Sequence, residues 1–453
     1  MRQAVVIIHG MGEQKPMSTL RGFIDSLVKH EAAEKIKSGE LKAYKKNFWS
    51  KPDKMSESFE LRKLVLAAGK SKRPTTDFFE YYWAFNMQGT GMGHIIPWFK
   101  TLLLNWPWKV PNRLFFPWLI SWILTLCIAA GFIFFFSNDE NNPLGDGLQG
   151  KVLSFLLTSI LIGAQSALIG SIGDAARYLT PNPENISERH NIRKDGIELM
   201  RKLHEKDENG NQQYDRIIMV AHSLGSVIAY DIITHLWAEY NSVYGEGKIV
   251  DKDYFEAVKT AADELELAIK AGMDKTETDH LKAVFQKKQM ALGKAMREAG
   301  CPWLITDFVT MGCPLAHGAF LLSRNATDFE ERKADRELLA CPPVLDDNGK
   351  YYYYNRDEKR YYLHHAAAFA ATVWTNIYFP GDFIGGPVSG EFGHGIKDVE
   401  VVYNGFFNKW ISHISPLTHI KYWRDSADLE KMDVYKNRDA IKALYDAVDL
   451  DRD

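Results

Sequence analysis

Three side chains in the 453-residue sequence have the types and settings that acyl transfer requires: Ser223, Asp382 and His419. Ser223 interrupts "IIMVAHSLGSVIAYDIITHLW" (Ile217 to Trp237), where an apolar strand breaks at a hydroxyl and resumes as a helix. The local pattern is Ala221-His222-Ser223-Leu224-Gly225, a variant of G-x-S-x-G with alanine at the first position. Small residues two places before and after the serine let strand and helix pack closely around a strained turn that exposes the hydroxyl. Such a hydroxyl is a poor nucleophile near neutral pH. It needs a base, an orienting acid and donors for the oxyanion.

"QAVVIIHGMG" answers the last need: a buried strand ends in His9-Gly10-Met11-Gly12. A Gly-rich loop of this type turns backbone N–H groups toward a developing oxyanion. The amides of Met11 and Leu224 are the expected donors, with Gly10 as an alternative to Met11. "NIYFPGDFIGGP" sets Asp382 just beyond a strand and a Pro-Gly turn, and "SPLTHIKYWRD" sets His419 in a loop after the strand "VEVVYNG". Competitors are Asp307, inside a hydrophobic strand as an N-terminal strand residue or a structural buried acid would be, and His413, six residues before His419. His394 reads as a loop histidine near the site. His364 and His365 lack the carboxylate cluster a metal would need, so neither metal nor organic cofactor is expected.

These groups must be carried by alternating strands and helices, which implies an α/β fold with a mostly parallel sheet covered by helices. Expected elements are a helix near Met17 to Lys37, a strand Thr76 to Phe85, a helix Ser187 to His204, and strands in "DRIIMVA", "WLITDFVTMG", "TVWTNIYFPGD" and "VEVVYNG". Asp251 to Ala299 is charged and reads as two solvated helices inserted after the elbow helix. "DDNGKYYYYNRDEKRYYLHH" reads as a Tyr-rich hairpin near the pocket, with its turn at Asn-Gly.

Two uncharged runs break the pattern: Leu114 to Asn138 and Val152 to Gly173. Each approaches the ~20 residues that cross a bilayer core. Together they read as a transmembrane hairpin, with a buried lid as the competing reading. Ser159, Gly163, Ala167 and Ser171 recur every fourth residue, a small-residue ridge suited to close helix contact and to homo-oligomerisation through the hairpin. Trp98, Trp106 and Trp108 lie among lysines upstream, as in a headgroup layer. The loop between the runs holds Asp139, Glu140 and Asp146 against Lys151, whereas both flanks are basic, so the flanks are expected in the cytoplasm. The resulting division is 1–91 and 174–453 for the body, 92–113 interfacial, 114–173 hairpin, with 251–299 as a helical insertion.

Composition adds exclusions. Hydrophobic residues make up 46% of the chain, enough for a large core, and a formal charge of −3 gives no reason to expect nucleic acid. Four cysteines without metal or disulfide spacing suit a reducing compartment, and no cleavable signal peptide is recognisable.

On "VVIIHGMG", "MVAHSLGSVIAYD", "DFVTMGCPLAHG", "NIYFPGDFIGGP" and "HIKYWRD", the sequence resembles the α/β-hydrolase superfamily, specifically its lipase-like serine hydrolases. "TMGCPL" is similar to the Thr-x-Gly-Ser-Pro-Leu turn of such enzymes, with Cys313 at the serine position. The resemblance implies hydrolysis of a lipid or other acyl ester, with Ser223, Asp382 and His419 as triad. Alternatives are an acyl-thioester or acyl-protein hydrolase with the same triad, and an inactive hydrolase-like membrane scaffold.

Overall fold

The structure, a computed structural model, describes residues 2–11, 15–44, 46–69, 73–87, 104–136, 150–162, 178–179, 183, 185–245, 248–403, 413, 416–423 and 438–452. The chain divides into two units: Met1–Gly10, Gln14–Trp83 and His190–Asp453 form the first, and Met11–Glu13 with Ala84–Arg189 the second.

The first unit is built on an eight-stranded sheet. Its strands are β1 (Arg2–Ile8), β2 (Phe48–Pro52), β3 (Arg62–Leu66), β4 (Thr75–Tyr81), β5 (Arg216–His222), β6 (Ile305–Met311), β9 (Val373–Tyr378) and β10 (Lys397–Glu400), with β7 (Tyr352–Asn355) and β8 (Arg360–Leu363) forming a separate hairpin. Their spatial order is β10-β9-β6-β5-β1-β4-β3-β2. Pairing is parallel from β4 through β1, β5, β6 and β9 to β10, and antiparallel only at β3–β4 and β2–β3. β1 and β5 are almost wholly buried, which is why they read as unbroken Val/Ile runs instead of alternating patterns. On one face Val5, Ile7, Ile218, Val220 and Val309 pack with the helices Ser18–Lys37 and Arg438–Val448 through Phe23, Ile24 and Leu444. The other face meets the helices Ile186–His204 and Leu224–Tyr240: a Cβ on Gly196 would lie 2.4 Å from Ile232 and 3.0 Å from Tyr81.

The chain leaves β1 for β4 on one side and returns to β5 on the other. The order reverses there, and in open α/β sheets the crevice at the carboxyl ends of such strands is where ligands bind.

Several elements depart from the sequence reading. β2 and β3 were not expected: β2 is largely exposed and β3 is short, so neither carries a strong apolar signal. β10 ends at Glu400, before most of "VEVVYNG". The helices Lys252–Lys270 and Lys275–Glu298, capped by Asp251 and Asp274, are not simply solvated. Phe255, Val258 and Leu265 on one, and Phe285, Gln289 and Leu292 on the other, are buried. In the Tyr-rich hairpin, Asn348-Gly349 precedes β7, and the reversal falls at residues 356–359 with Lys359 at φ 52°. Its end is held by the Trp237 and Asn241 side chains, which donate to the carbonyls of His364 and Leu363. Trp237 is fourteen residues along the helix from Ser223, about 20 Å away, so the hairpin base is remote from the serine.

In the second unit, the helix Asn112–Phe136 contains a stretch, Asn112–Ile133, long and apolar enough to cross a membrane. Among the described residues it is the one such helix, rather than the two expected. Gly150–Ile162 is a shorter apolar helix, and the rest of the second uncharged run lies outside the described residues. The two helices touch at small residues: Ser154 Oγ donates to the Gly131 carbonyl over 2.8 Å, and a Cβ on Gly131 would meet Thr158 Oγ1 at 2.1 Å. Ser154 and Thr158 are buried there, while Ser159 is exposed, so the described contact runs one residue off the expected ridge. Gly163, Ala167, Ser171, Trp98 and the connecting loop lie outside the described residues. Leu126 and Ile133 on the first helix and Phe155 and Ile160 on the second are exposed.

Candidate active site

β5 delivers Ser223 at φ 54°, ψ −132°, a left-handed backbone position rare for a residue with a Cβ and held only by the packing around it. The Ser223 N–H donates to the Met311 carbonyl over 2.9 Å, tying the turn to β6. Gly225 explains the small residue at the fifth motif position: a Cβ there would lie 2.5 Å from the carbonyl oxygens of both Ile8 and His9. Gly10 approaches from β1 just as closely, and its Cβ would lie 2.8 Å from that of Ser223. Leu224 opens the helix, so its N–H belongs to the first turn, whose amides have no intrahelical acceptor.

Ser223 Oγ lies 2.8 Å from His419 Nε2. His419 Nδ1 lies 3.0 and 2.9 Å from the two oxygens of Asp382. All three residues are buried. Burial alone would raise the Asp382 pKa, but the adjacent His419 imidazole and the hydrogen bonds it receives from His419, the Gly385 N–H and the Tyr422 hydroxyl hold it down at about 2. A carboxylate kept ionised there favours the imidazole tautomer with the proton on Nδ1, leaving Nε2 free to accept from the serine. Backbone crowds this contact: a Cβ on Gly312, at φ +54°, would lie 2.9 Å from Asp382 Oδ2 and from His419 Nδ1.

The base sits in a one-turn 3-10 helix, Pro416–Ile420, pinned by its successors. Trp423 packs edge-on against Phe23, and its carbonyl accepts from Ser26 Oγ over 2.7 Å. Tyr422 accepts from the Phe379 N–H and donates to Asp382 Oδ2, so its hydroxyl proton has one direction. His222 Nε2 donates to the His419 carbonyl over 2.7 Å. Tyr422 and His222 were not singled out from the sequence, although both lie within the quoted motifs, because neither has a role until the loop folds over β5.

His9 is buried, stacked on Trp83 at 5.1 Å between ring centres, and burial pushes its pKa down to about 4. Its Nδ1 donates to the Gly10 carbonyl over 2.7 Å, and its own carbonyl accepts from Trp83 Nε1. Met11 belongs to the second unit and Gly12 lies outside the described residues. Glu80, at the end of β4, accepts from the Met17 N–H over 2.5 Å and is pushed up to about 7 by burial.

The competing candidates fall elsewhere. Asp307 lies near the amino end of β6, paired with Arg216 at 2.8 Å and with Arg452. His413 is exposed. His394 pairs with Glu266 at 3.0 Å on the inserted helix pair. His364 is buried and bridges the Val344 carbonyl and the Ala366 N–H. Among the described residues no group of three or more His, Cys, Asp or Glu is arranged to hold a metal ion. The four cysteines are free thiols, and burial pushes Cys313 up to about 12, well away from nucleophilic chemistry.

No family model, no curated protein and no solved structure matches this chain.

Proposed function

We propose that the chain is a membrane-anchored serine hydrolase of the α/β-hydrolase type that cleaves lipid or other acyl esters. The observation that carries this reading is the continuous relay from Ser223 Oγ through His419 to Asp382, at 2.8 and 2.9 Å. Ser223 attacks the ester carbonyl while His419 Nε2 takes its proton. Asp382 orients the imidazole and stabilises the imidazolium. His419 then returns the proton to the departing alcohol, leaving an acyl-serine that water hydrolyses by the same route. The Leu224 N–H, in the first turn of the helix, supplies an oxyanion donor. The strained φ of Ser223 and the glycines pressed against the relay support a site shaped for chemistry instead of a simple strand-helix junction.

The membrane part of the reading is supported by Asn112–Ile133 and by the apolar side chains that this helix and Gly150–Ile162 leave exposed. Trp106 and Trp108, exposed and stacked at 4.8 Å just upstream, suit a headgroup layer. We place both helices as a hairpin with the hydrolase body on the cytoplasmic side, following the charge bias of the flanks.

The test is Ser223→Ala. Turnover of a soluble p-nitrophenyl ester should fall by about 10⁶, and covalent labelling by a fluorophosphonate should vanish while the circular dichroism spectrum stays wild-type. An alanine variant that keeps wild-type turnover sinks the reading. A wild-type protein that neither labels nor turns over any ester or thioester points to a scaffold.

A further inference from the structure

At the opposite end of the sheet from Ser223 lies a cavity of about 890 Å³. It opens where β1, β5 and β6 begin, and Arg216 at the first position of β5 lies seven residues from Ser223, about 20 Å along the strand. Six of the side chains lining it are cationic and two acidic: Arg2, Lys206, Arg216, Lys294, Arg297 and Arg452 against Asp215 and Glu298. Arg216 and Arg452 share the buried carboxylate of Asp307, and Arg2 is paired with Asp77. Arg297 stands differently. Its Nη1 is buried, and among the described residues no acceptor lies within hydrogen-bonding reach. Burial lowers its pKa first, and repulsion from Arg452 and Arg216 lowers it further, against the pull of Asp307. Asp307 is thus already paired with two guanidinium groups and leaves Arg297 without a hydrogen-bonded carboxylate. A buried cation in that position is unfavourable unless an anion joins it.

Apolar side chains also line it: Val243, Met290, Leu304 and Ala371. A volume in the range of small-molecule sites, a planar guanidinium fork suited to phosphate, and a neighbouring apolar surface define the complementary ligand. We propose that this cavity binds a small organic phosphate, its phosphoryl group held by Arg297 and Lys294 and its organic body against Met290 and Leu304. The site is separate from the triad, and its existence does not depend on ester hydrolysis. Its phosphate chemistry is shared by soluble phosphorylated metabolites and by phospholipid headgroups, and the probes must separate the two.

The experiment is titration of the detergent-solubilised full chain by calorimetry, with thermal unfolding alongside. The probes are inorganic pyrophosphate, glycerol 3-phosphate and dihexanoyl phosphatidate. Saturable binding with a raised Tm is expected. Arg297→Gln together with Lys294→Gln should weaken it by at least about tenfold, since a hydrogen bond to a charged group is lost. Without ligand the Tm should not fall, since an uncompensated cation is removed, and Ser223-dependent ester turnover should stay unchanged. Lys294→Glu, at an exposed position, is a second variant that keeps the fold and should weaken binding in the same sense. Preference for glycerol 3-phosphate marks a soluble metabolite, and preference for the phosphatidate marks a headgroup. No binding of any probe, stabilisation matched by sodium chloride at equal ionic strength, or equal affinity in the variants overturns the proposal.

Discussion

Asp382 and Asp307 are similarly buried but differ in what surrounds them. Asp382 accepts from the amides of Ile384 and Gly385, from Tyr422 and from His419, whereas Asp307 is neutralised by Arg216 and Arg452. Asp382→Asn should therefore leave a folded protein whose kcat falls by about 10⁴ through the wrong histidine tautomer. Asp307→Asn should cost about 3–5 kcal/mol of stability by stranding two cations, with kcat preserved in whatever folds. Purified variants compared by urea unfolding and ester turnover distinguish them, and the reverse pattern would exchange their assignments. The same environment sets a pH dependence. The folded pKa of Asp382, about 2, is below its ordinary 3.8, so its contribution to stability is present above the ordinary value and is lost as pH falls from about 4 to about 2. The loss amounts to about 2 kcal/mol. The stability advantage of wild type over Asp382→Asn should shrink across that window, and an advantage constant with pH would contradict the assignment.

At the scale of elements, the site depends on three backbones meeting with no room to spare. β1 brings Gly10 against Ser223, the elbow helix brings Gly225 against the last carbonyls of β1, and β6 ends at Gly312 beside Asp382 and His419. Gly225→Ala puts a methyl 2.5 Å from two backbone oxygens, neither of which can rotate away. Overpacking of this kind costs about 1–3 kcal/mol. Because the helix start must shift to relieve it, the Leu224 amide should also move. Lower Tm together with lower kcat and little change in KM is the expected outcome. A variant with wild-type Tm and kcat would mean that the turn is looser than the contact implies. The 3-10 turn carrying His419 is positioned differently, through Trp423 on the helix Ser18–Lys37 and Tyr422 on β9.

At the scale of the whole molecule, the apolar helices enter the sequence between β4 and β5, so both ends of that segment return to strands flanking β1. If the segment serves to bring bilayer-dissolved substrate to the hydrolase body, replacing 114–173 with a short polar linker should spare turnover of a butyrate ester in solution. Activity on long-chain esters in vesicles should fall at least tenfold, because each CH₂ that must cross water costs about 0.8 kcal/mol. Equal loss on both substrates would instead make the segment part of the catalytic body's stability.

The residues of the Ser223–His419–Asp382 contact, the strained strand-to-helix turn and the parallel-sheet class were legible in the sequence because each leaves a local mark. Buried parallel strands read as Val/Ile runs, a strained strand-to-helix turn demands small residues at fixed offsets, and Asp382 and His419 follow strand ends in order. Other features are made by residues far apart in the chain. Asp307 lies inside β6 near its amino end and Asp382 in the loop beyond β9, and only the tertiary contacts surround one with arginines and set the other beside an imidazole. Tyr422 becomes a ligand of Asp382, and His222 a clasp on the His419 backbone, only when the last loop closes over β5. The basic cavity joins Arg216, Arg297 and Arg452 from three separate segments. Local spacing reports the conformation of a few residues, whereas charge balance and hydrogen-bond partnership at a site are properties of the contacts that folding brings together.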